Sequence, residues 1–128
     1  MLDHSSLASR LTTAIASGDL DAIAALYHDD AVIWRSTDCL ELNKRQMLRI
    51  MKFLATQVRD LRFDDIRRRA TDDGFVQQHI MVCTAPGGEP IHAHACLVGV
   101  VRDGRIARIS EYIDSVAVAP LLAAPLEG

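Results

Sequence analysis

The chain has 128 residues, of which 49% are hydrophobic and 24% charged, and its net charge is −3. This balance predicts one globular domain over residues 1–128, and the slight negative charge without a basic stripe argues against nucleic-acid binding. No apolar run approaches membrane-spanning length, and the first ten residues lack a signal-peptide pattern. Three cysteines, an odd number, favour a reduced protein, so a cytoplasmic location without membrane attachment is expected.

The first half of the chain shows helical spacing. A first helix is predicted from a serine cap at Ser5 or the next residue, with an i, i+4, i+7 apolar pattern that ends at Gly18. Asp19 can cap a second, short helix, and the letters AVIW that follow it predict a short strand. Asn43 and Gln46 have the spacing of a capping box at the start of a third helix. The apolar stripe of that helix comprises Met47, Ile50, Met51, Leu54 and Val58.

Beyond the third helix, the apolar period changes from 3.6 to 2. Strands are therefore predicted at about 60–70, 74–85, 90–102 and 105–114, separated by the turns DDG, PGGE and RDG. Residues 115–128 form a small apolar tail with two prolines, which we expect to lie against the body. Helices followed by an antiparallel meander predict an α+β fold, with about three helices packed on one face of a curved, mostly antiparallel sheet.

Two stretches of this sequence resemble a known superfamily. SGDLDAIAALYHDDAVIW is similar to a run typical of the nuclear-transport-factor-2-like (NTF2-like) superfamily. VVRDGRIARISEYID resembles the final hairpin of its SnoaL-like, ketosteroid-isomerase-like and limonene-epoxide-hydrolase-like branches. The similarity covers about residues 5–122 and implies a cone-shaped, cystatin-like roll around a mostly apolar cavity. It also implies a homodimer formed through the outer face of the sheet. The resemblance indicates the fold much more specifically than it indicates the reaction.

The resemblance also implies candidate site residues. In the epoxide hydrolases a carboxylate on the last strand, in a motif similar to SEYID, helps to hold the attacking water, and Glu111 matches it. The tyrosine and asparagine that bind the same water correspond to Trp34 and Ser36. The arginine and aspartate that complete that site fall at Gln78 and Ile80, so neither charge is matched and the same epoxide opening is not expected.

The direction of the side chains in IHAHAC depends on the turn between the last two strands. A three-residue RDG loop pairs Ala95 with Glu111, whereas a two-residue DG turn pairs Cys96 with Glu111, and a slip of one residue exchanges the faces. The pattern favours the first alternative, because it gives one apolar face with a single carboxylate. His92 and His94 then lie on the opposite, polar face, where a second subunit could cover them.

The preceding PGGE loop determines how the next strand faces. Taken as four residues, it pairs Ala85 with Pro90 and places His79 on the polar face. The apolar wall, which we expect to bind substrate, is then formed by Ile80, Val82, Ala93, Ala95, Leu97, Ile109 and Ile113, with Met51 from the third helix. The small side chains of Ala93 and Ala95 would leave room for a ligand.

The predicted chemistry centres on Glu111. A lone glutamate on an apolar face is costly to bury as an anion, so its pKa should rise and make it a workable general acid or base. Trp34 and Ser36 would orient the proton or water, and Gln78 would contact a ligand oxygen. The resemblance places Arg35 at the position of the ketosteroid-isomerase base, so isomerisation of that type is not expected.

The two histidines of IHAHAC are also candidate ligands of a metal ion. They could bind zinc or iron if His79 or Asp114 supplied a third ligand, but the glutamate of a cupin-type site is missing. Neither a metal nor a cofactor is therefore expected.

Two functions remain open on the sequence alone. In the first, the protein is a cofactor-free isomerase, cyclase or hydrolase that binds a small apolar, oxygen-bearing molecule and uses Glu111 to move a proton or activate a water. In the second, the cone is a non-catalytic ligand-binding or dimerisation module, and Glu111 has no catalytic duty.

Overall fold

A computed structural model describes residues 4–122 of the chain. In chain order the elements are α1 (Ser5–Ser17), α2 (Leu20–Ala25), β1 (Tyr27–Arg35), β2 (Glu41–Asn43), α3 (Lys44–Gln57), β3 (Arg59–Thr71), β4 (Gly74–Thr84), β5 (Pro90–Arg102), β6 (Arg105–Ile113) and α4 (Ala119–Leu122). The predicted α+β fold is confirmed. Within the described residues there are four helices rather than three, and the additional one is a single turn near the C-terminus.

The local signals place most helix ends correctly. The Asn43 side chain accepts from the backbone N–H of Gln46, and the Gln46 side chain accepts from the backbone N–H of Asn43, both at 2.9 Å. Gly18 ends α1 with a left-handed φ of 70°, and Asp19 caps α2. The predicted serine cap is wrong, because α1 already begins at Ser5 and its N-cap residue is His4, whose side chain makes no capping hydrogen bond.

The six strands form one sheet in the order β2-β1-β6-β5-β4-β3. Only the β1–β6 pair is parallel. Helices α1, α2 and α3 pack on one face of the sheet, here called the inner face, and the opposite side is called the outer face. The main core lies between them and includes Leu11, Ile23, Met47, Ile33, Phe75, Leu97, Ile106 and Ile109. Burial of this apolar surface is the dominant force that holds the helices on the sheet.

The turn between β5 and β6 is the shorter of the two alternatives. Arg102 pairs with Arg105 across a two-residue Asp-Gly turn, so the predicted three-residue loop is wrong. A β-bulge next to this turn inserts one extra residue into β6. The bulge restores the expected side-chain direction, since Leu97 rather than Cys96 faces Glu111. The predicted partner of Glu111 is wrong by two residues, but two residues are one full period of a strand, so the predicted face is correct.

The loop between β4 and β5 is one residue longer than predicted, and this reverses the faces of β4. Thr84, not Ala85, pairs with Pro90. The loop is closed by the backbone N–H of Ala85, which donates to the carbonyl of Glu89 at 2.9 Å. Gln78, Ile80 and Val82 consequently lie on the outer face, which corrects their predicted place in the apolar wall. The inner face of β4 carries Phe75, Gln77, His79, Met81 and Cys83.

The end of the described chain lies against the body. Asp114 accepts hydrogen bonds from the backbone N–H groups of Val116 and Ala117 at 3.1 and 3.2 Å, which turns the chain after β6. Val118 is buried and packs in a second core cluster with Met81. Of the predicted tail at 115–128, residues 123–128 lie outside the described residues. No helix among residues 4–122 is long and apolar enough to cross a membrane.

Candidate functional site

Two adjoining cavities lie between the helices and the inner face of the sheet. The inner cavity, of about 110 Å³, is enclosed by α1, α3 and the central strands. The mouth cavity, of about 240 Å³, lies beside it and is bordered by Val118 and by Leu121 of α4. Both are lined by Arg35, Ile50, Met51, Leu54, Met81 and Glu111. Because these walls are shared, a ligand in one cavity would reach side chains of the other.

Glu111 is the acidic side chain at the boundary of the two cavities. It projects from the inner face of β6 opposite Leu97. Within the described residues, its carboxyl group has no hydrogen bond and no ion pair. Burial raises its pKa above the ordinary value of 4.5, and the nearby positive charge of Arg35 offsets only part of this effect. The carboxyl group can therefore exchange a proton more readily near neutral pH than an exposed glutamate.

Arg35 is directed mainly to a different carboxylate. Its Nε and Nη2 donate to Asp38 at 3.0 and 2.6 Å, and these bonds lower the pKa of Asp38. Asp38 is therefore the ion-pair partner of Arg35, and Glu111 has no such partner among the described residues. The hydroxyl of Thr37 lines the same mouth and is buried without a hydrogen-bond partner among residues 4–122, so it remains available to a ligand.

Tyr27 adds a hydroxyl group to the inner cavity. The residue is buried and lines this cavity. Burial raises the pKa of its hydroxyl, and the negative charge of Glu111 adds to the effect, so the two groups interact. The hydroxyl therefore stays protonated at cellular pH and can donate to an oxygen that gains negative charge.

His79, on β4, is a further titratable group that lines the inner cavity. Its side chain is 6% exposed, and its ring meets the edge of Phe63 at a centroid distance of 4.9 Å. Its Nδ1 lies 2.9 Å from the Nε2 of Gln77. Burial, with a smaller contribution from the charge of Arg68, lowers its pKa to about 4. His79 is therefore neutral at cellular pH.

His79 and Gln77 lie on the inner face, although the sequence predicted the opposite face for their strand. The two sets of alternating side chains in β4 are both largely apolar, and the set with Val76, Ile80 and Val82 has the more apolar pattern. The polarity of the two sets therefore does not decide which of them faces the helices. The direction of β4 depends on the length of the loop between β4 and β5, and the predicted loop was one residue too short.

Three of the four predicted catalytic residues do not present their side chains to the cavities. Trp34 lies on the outer face, with its ring 5.1 Å from that of Tyr112, and Gln78 is exposed on the same face. Ser36 ties the end of β1 to β6, because its hydroxyl accepts from the backbone N–H of Ile113 at 3.1 Å. Of the four, only Glu111 lines both cavities.

The predicted apolar wall is partly assembled. Met51 lines both cavities, Leu97 and Ile109 line the inner one, and Ile113 lines the mouth. The other members lie elsewhere: Ala93 is packed in the second core cluster, Ala95 is buried on the inner face outside both cavity linings, and Ile80 and Val82 are on the outer face. The room near Glu111 therefore comes from the gap between α3 and the sheet rather than from small side chains on β5.

The site can move protons and hold oxygen atoms. One carboxyl group with a raised pKa is surrounded by apolar walls, with Tyr27, His79 and Arg35 as polar groups. Among residues 4–122, no group of three histidine, cysteine, aspartate or glutamate side chains is placed to hold a metal ion.

Comparison with known proteins places this architecture in a family. Residues 8–109 match the SnoaL-like domain. The chain belongs to the SnoaL-like domain family. The predicted membership of the NTF2-like superfamily is thereby confirmed. A comparison with curated proteins gives no match.

Solved structures share the fold of this SnoaL-like protein at low sequence identity. A proposed polyketide cyclase from Pseudomonas putida superposes with a TM-score of 0.80 at 18% identity, covering 91% of this chain and 96% of that one. PrhC from Penicillium brasilianum gives a TM-score of 0.80 at 17% identity, covering 92% and 84%. A protein with a ketosteroid-isomerase-like fold from Catenulispora acidiphila, solved with trimethylamine, gives 0.74 at 11% identity, covering 94% of both. These similarities establish the fold.

Proposed function

We propose that this SnoaL-like protein binds a small apolar, oxygen-bearing molecule in the joined cavities and that Glu111 transfers a proton during a cofactor-free isomerase, cyclase or hydrolase reaction. The observation that carries the proposal is the Glu111 carboxyl group, which lines both cavities without a hydrogen-bonding partner among the described residues. A carboxyl group that lines an apolar cavity without a partner costs stability, and groups with shifted pKa values cluster at functional sites.

In an isomerase or cyclase reaction, the proton would move between a substrate carbon and Glu111. In its ionised form, the carboxylate takes a proton from a carbon next to a carbonyl group, and the bonding electrons move onto the carbonyl oxygen. The Tyr27 hydroxyl, whose raised pKa keeps it protonated, lines the inner cavity and would stabilise this oxygen. Glu111 then returns the proton to the product. The apolar walls strengthen these electrostatic interactions because they exclude water.

The similar structures support this reaction class. The Pseudomonas protein and one from Shewanella putrefaciens are described as proposed polyketide cyclases, and a Bacillus subtilis protein with a TM-score of 0.79 as a proposed isomerase. Cyclisation and isomerisation of carbonyl compounds both begin with removal of a proton from carbon. We therefore propose proton transfer as the common step, whichever bond of the substrate forms afterwards.

We expect the protein to catalyse deuterium uptake by apolar ketones. Mono- and bicyclic ketones such as α-tetralone would be incubated in deuterium oxide, with mass spectrometry to follow exchange at the carbon next to the carbonyl. The Met51→Trp variant should lose exchange, because Met51 lines both cavities. Lys52→Trp, at the exposed neighbouring position of α3, is the matched control. Equal exchange in the two tryptophan variants would contradict a reaction inside the cavities.

The outer face favours a second role as a dimerisation surface, with or without catalysis. It exposes Tyr112, at 50% of its surface, together with Val98. His92 and His94 lie on the same face with ring centroids 5.9 Å apart. Exposed aromatic and aliphatic side chains on one sheet face are typical of protein–protein contacts. We therefore propose a homodimer that is formed through the outer face.

Sedimentation velocity should show a dimer that Tyr112→Glu converts to a monomer, because a carboxylate would be buried without a partner at the interface. Val116→Glu, at a highly exposed position in the turn after β6, is the control and should remain dimeric. A monomeric unmodified protein at high concentration would contradict the dimer.

We also propose a cytoplasmic location for the protein. Cys39, Cys83 and Cys96 are all free thiols, which suits a reducing compartment. Fluorescence microscopy of a tagged full-length chain in its native cell would test this location.

A further inference from the structure

A buried polar cluster connects β3, β4 and α1 at the wall of the inner cavity. The Arg68 Nε donates to the Oε1 of Gln77 at 2.7 Å. The Nε2 of Gln77 lies 3.0 Å from the hydroxyl of Thr12 and 2.9 Å from the Nδ1 of His79. Gln77 itself has no exposed surface. Each polar atom of its amide therefore has a defined partner inside the protein.

The chemistry of Arg68 fixes the orientation of this amide. A guanidinium group has only donors, so the atom of Gln77 that faces Arg68 must be the carbonyl oxygen. The amide nitrogen then faces Thr12 and His79. The Thr12 hydroxyl donates to the carbonyl of Ala8 at 2.8 Å and so can accept from Gln77. The second amide proton of Gln77 is left for His79.

This orientation determines where His79 carries its proton. The Nδ1 of His79 must accept a hydrogen bond, so it is unprotonated, and the proton of the neutral ring is on Nε2. Within residues 4–122, the Nε2 of His79 has no hydrogen-bond partner. This atom is also not completely enclosed by the protein. Since His79 lines the inner cavity, this nitrogen is available to a ligand there.

We propose that Gln77 is a positioning residue that, held by Arg68, locks His79 as a neutral ring with its proton on Nε2. His79 is then a hydrogen-bond donor, and not an acceptor, toward any ligand in the inner cavity. The charged and titratable groups around it are Arg68 on β3 and, along the same cavity, Tyr27, Arg35 and Glu111. The use of His79 to hold a ligand oxygen rests on the proposed function, whereas its protonation state does not.

The protonation state can be measured without a substrate by two-bond proton–nitrogen correlation spectra of isotope-labelled protein. His79→Asn assigns the signal. At neutral pH the unmodified protein should show the proton on Nε2. Gln77→Glu offers a carboxylate to Nδ1 and retains the contact with Arg68, so the proton of the neutral ring should move to Nδ1 and the pKa of His79 should rise from about 4.

Two further samples separate the outcomes. Gln77→Met keeps a similar length without a donor and should give a mixture of the two ring forms. A proton on Nδ1 in the unmodified protein, or an unchanged spectrum in Gln77→Glu, would overturn the proposal.

A ligand titration tests the use of the donor. α-Tetralone should shift the Nε2 signal and bind Gln77→Glu less tightly, whereas the hydrocarbon tetralin should bind both proteins equally. Failure of the ketone to bind the unmodified protein would count against the proposed function and leave the assigned ring form intact. Equal ketone binding by both proteins would overturn the donor role of His79.

Discussion

Replacing Glu111 with glutamine should reduce the rate of ketone deuteration about 10²–10⁴-fold, the usual contribution of a general acid or base. Glutamine has nearly the same shape but cannot take or release the proton. Since the carboxyl group of Glu111 has no hydrogen-bond partner among the described residues, no network is broken by the change. Ligand affinity, followed by the α-tetralone titration, should therefore change little.

The control for this variant is Glu89→Gln, which removes a carboxylate from the exposed loop between β4 and β5. It should leave the rate unchanged. If Glu111→Gln exchanges deuterium as fast as the unmodified protein, Glu111 has no catalytic duty.

The same variant should also change how stability depends on pH. The pKa of Glu111 is raised in the folded state, so the unfolded chain ionises first as the pH increases from about 4.5. Glu111 therefore lowers the free energy of unfolding progressively as the pH rises from there through its folded pKa. Glu111→Gln lacks this loss. Urea denaturation should show the variant gaining stability over the unmodified protein with increasing pH, and a constant difference would contradict the buried carboxyl group.

Replacing Phe75 with alanine should lower the free energy of unfolding by about 3–5 kcal/mol, the range for deletion of a buried aromatic ring. Phe75 has no exposed surface and belongs to the main core. Its ring covers Gly99, its partner on β5: a Cβ atom built on Gly99 would lie 2.5 Å from the ring. The strand backbone cannot move to fill the space left by the ring, so a cavity remains.

Chemical denaturation measures this loss, and Phe53→Ala is the matched control. Phe53 is only partly buried, on α3 at the mouth cavity, so the same substitution should cost much less. A loss below about 1 kcal/mol for Phe75→Ala would mean that the β4–β5 contact is not the packed centre of the core.

The sequence by itself determined the elements whose signals are local. The capping box of Asn43 and Gln46 and the left-handed Gly18 set the ends of helices through bonds between residues close in the chain. The change of period from 3.6 to 2 marked the sheet, and motif similarity implied the cone. The alternation of Ile109, Glu111 and Ile113 in β6 also marked Glu111 as a lone carboxylate among apolar side chains, because this pattern lies within a single strand.

The tertiary structure alone decided which polar groups share the cavities with Glu111. The direction of β4 depends on a single residue of loop length, and its two alternating sets of side chains are too similar in polarity to choose between faces. His79 and Gln77 therefore lie on the inner face and Gln78 lies on the outer face. Trp34, on β1, also lies on the outer face, beside Tyr112. The face of β6 was predicted correctly only because a bulge compensated for a wrong turn. Helix ends are set by bonds between residues close in the chain. Strand register depends on contacts between residues far apart in the chain, so the side chains that share the site could be identified only from the paired strands.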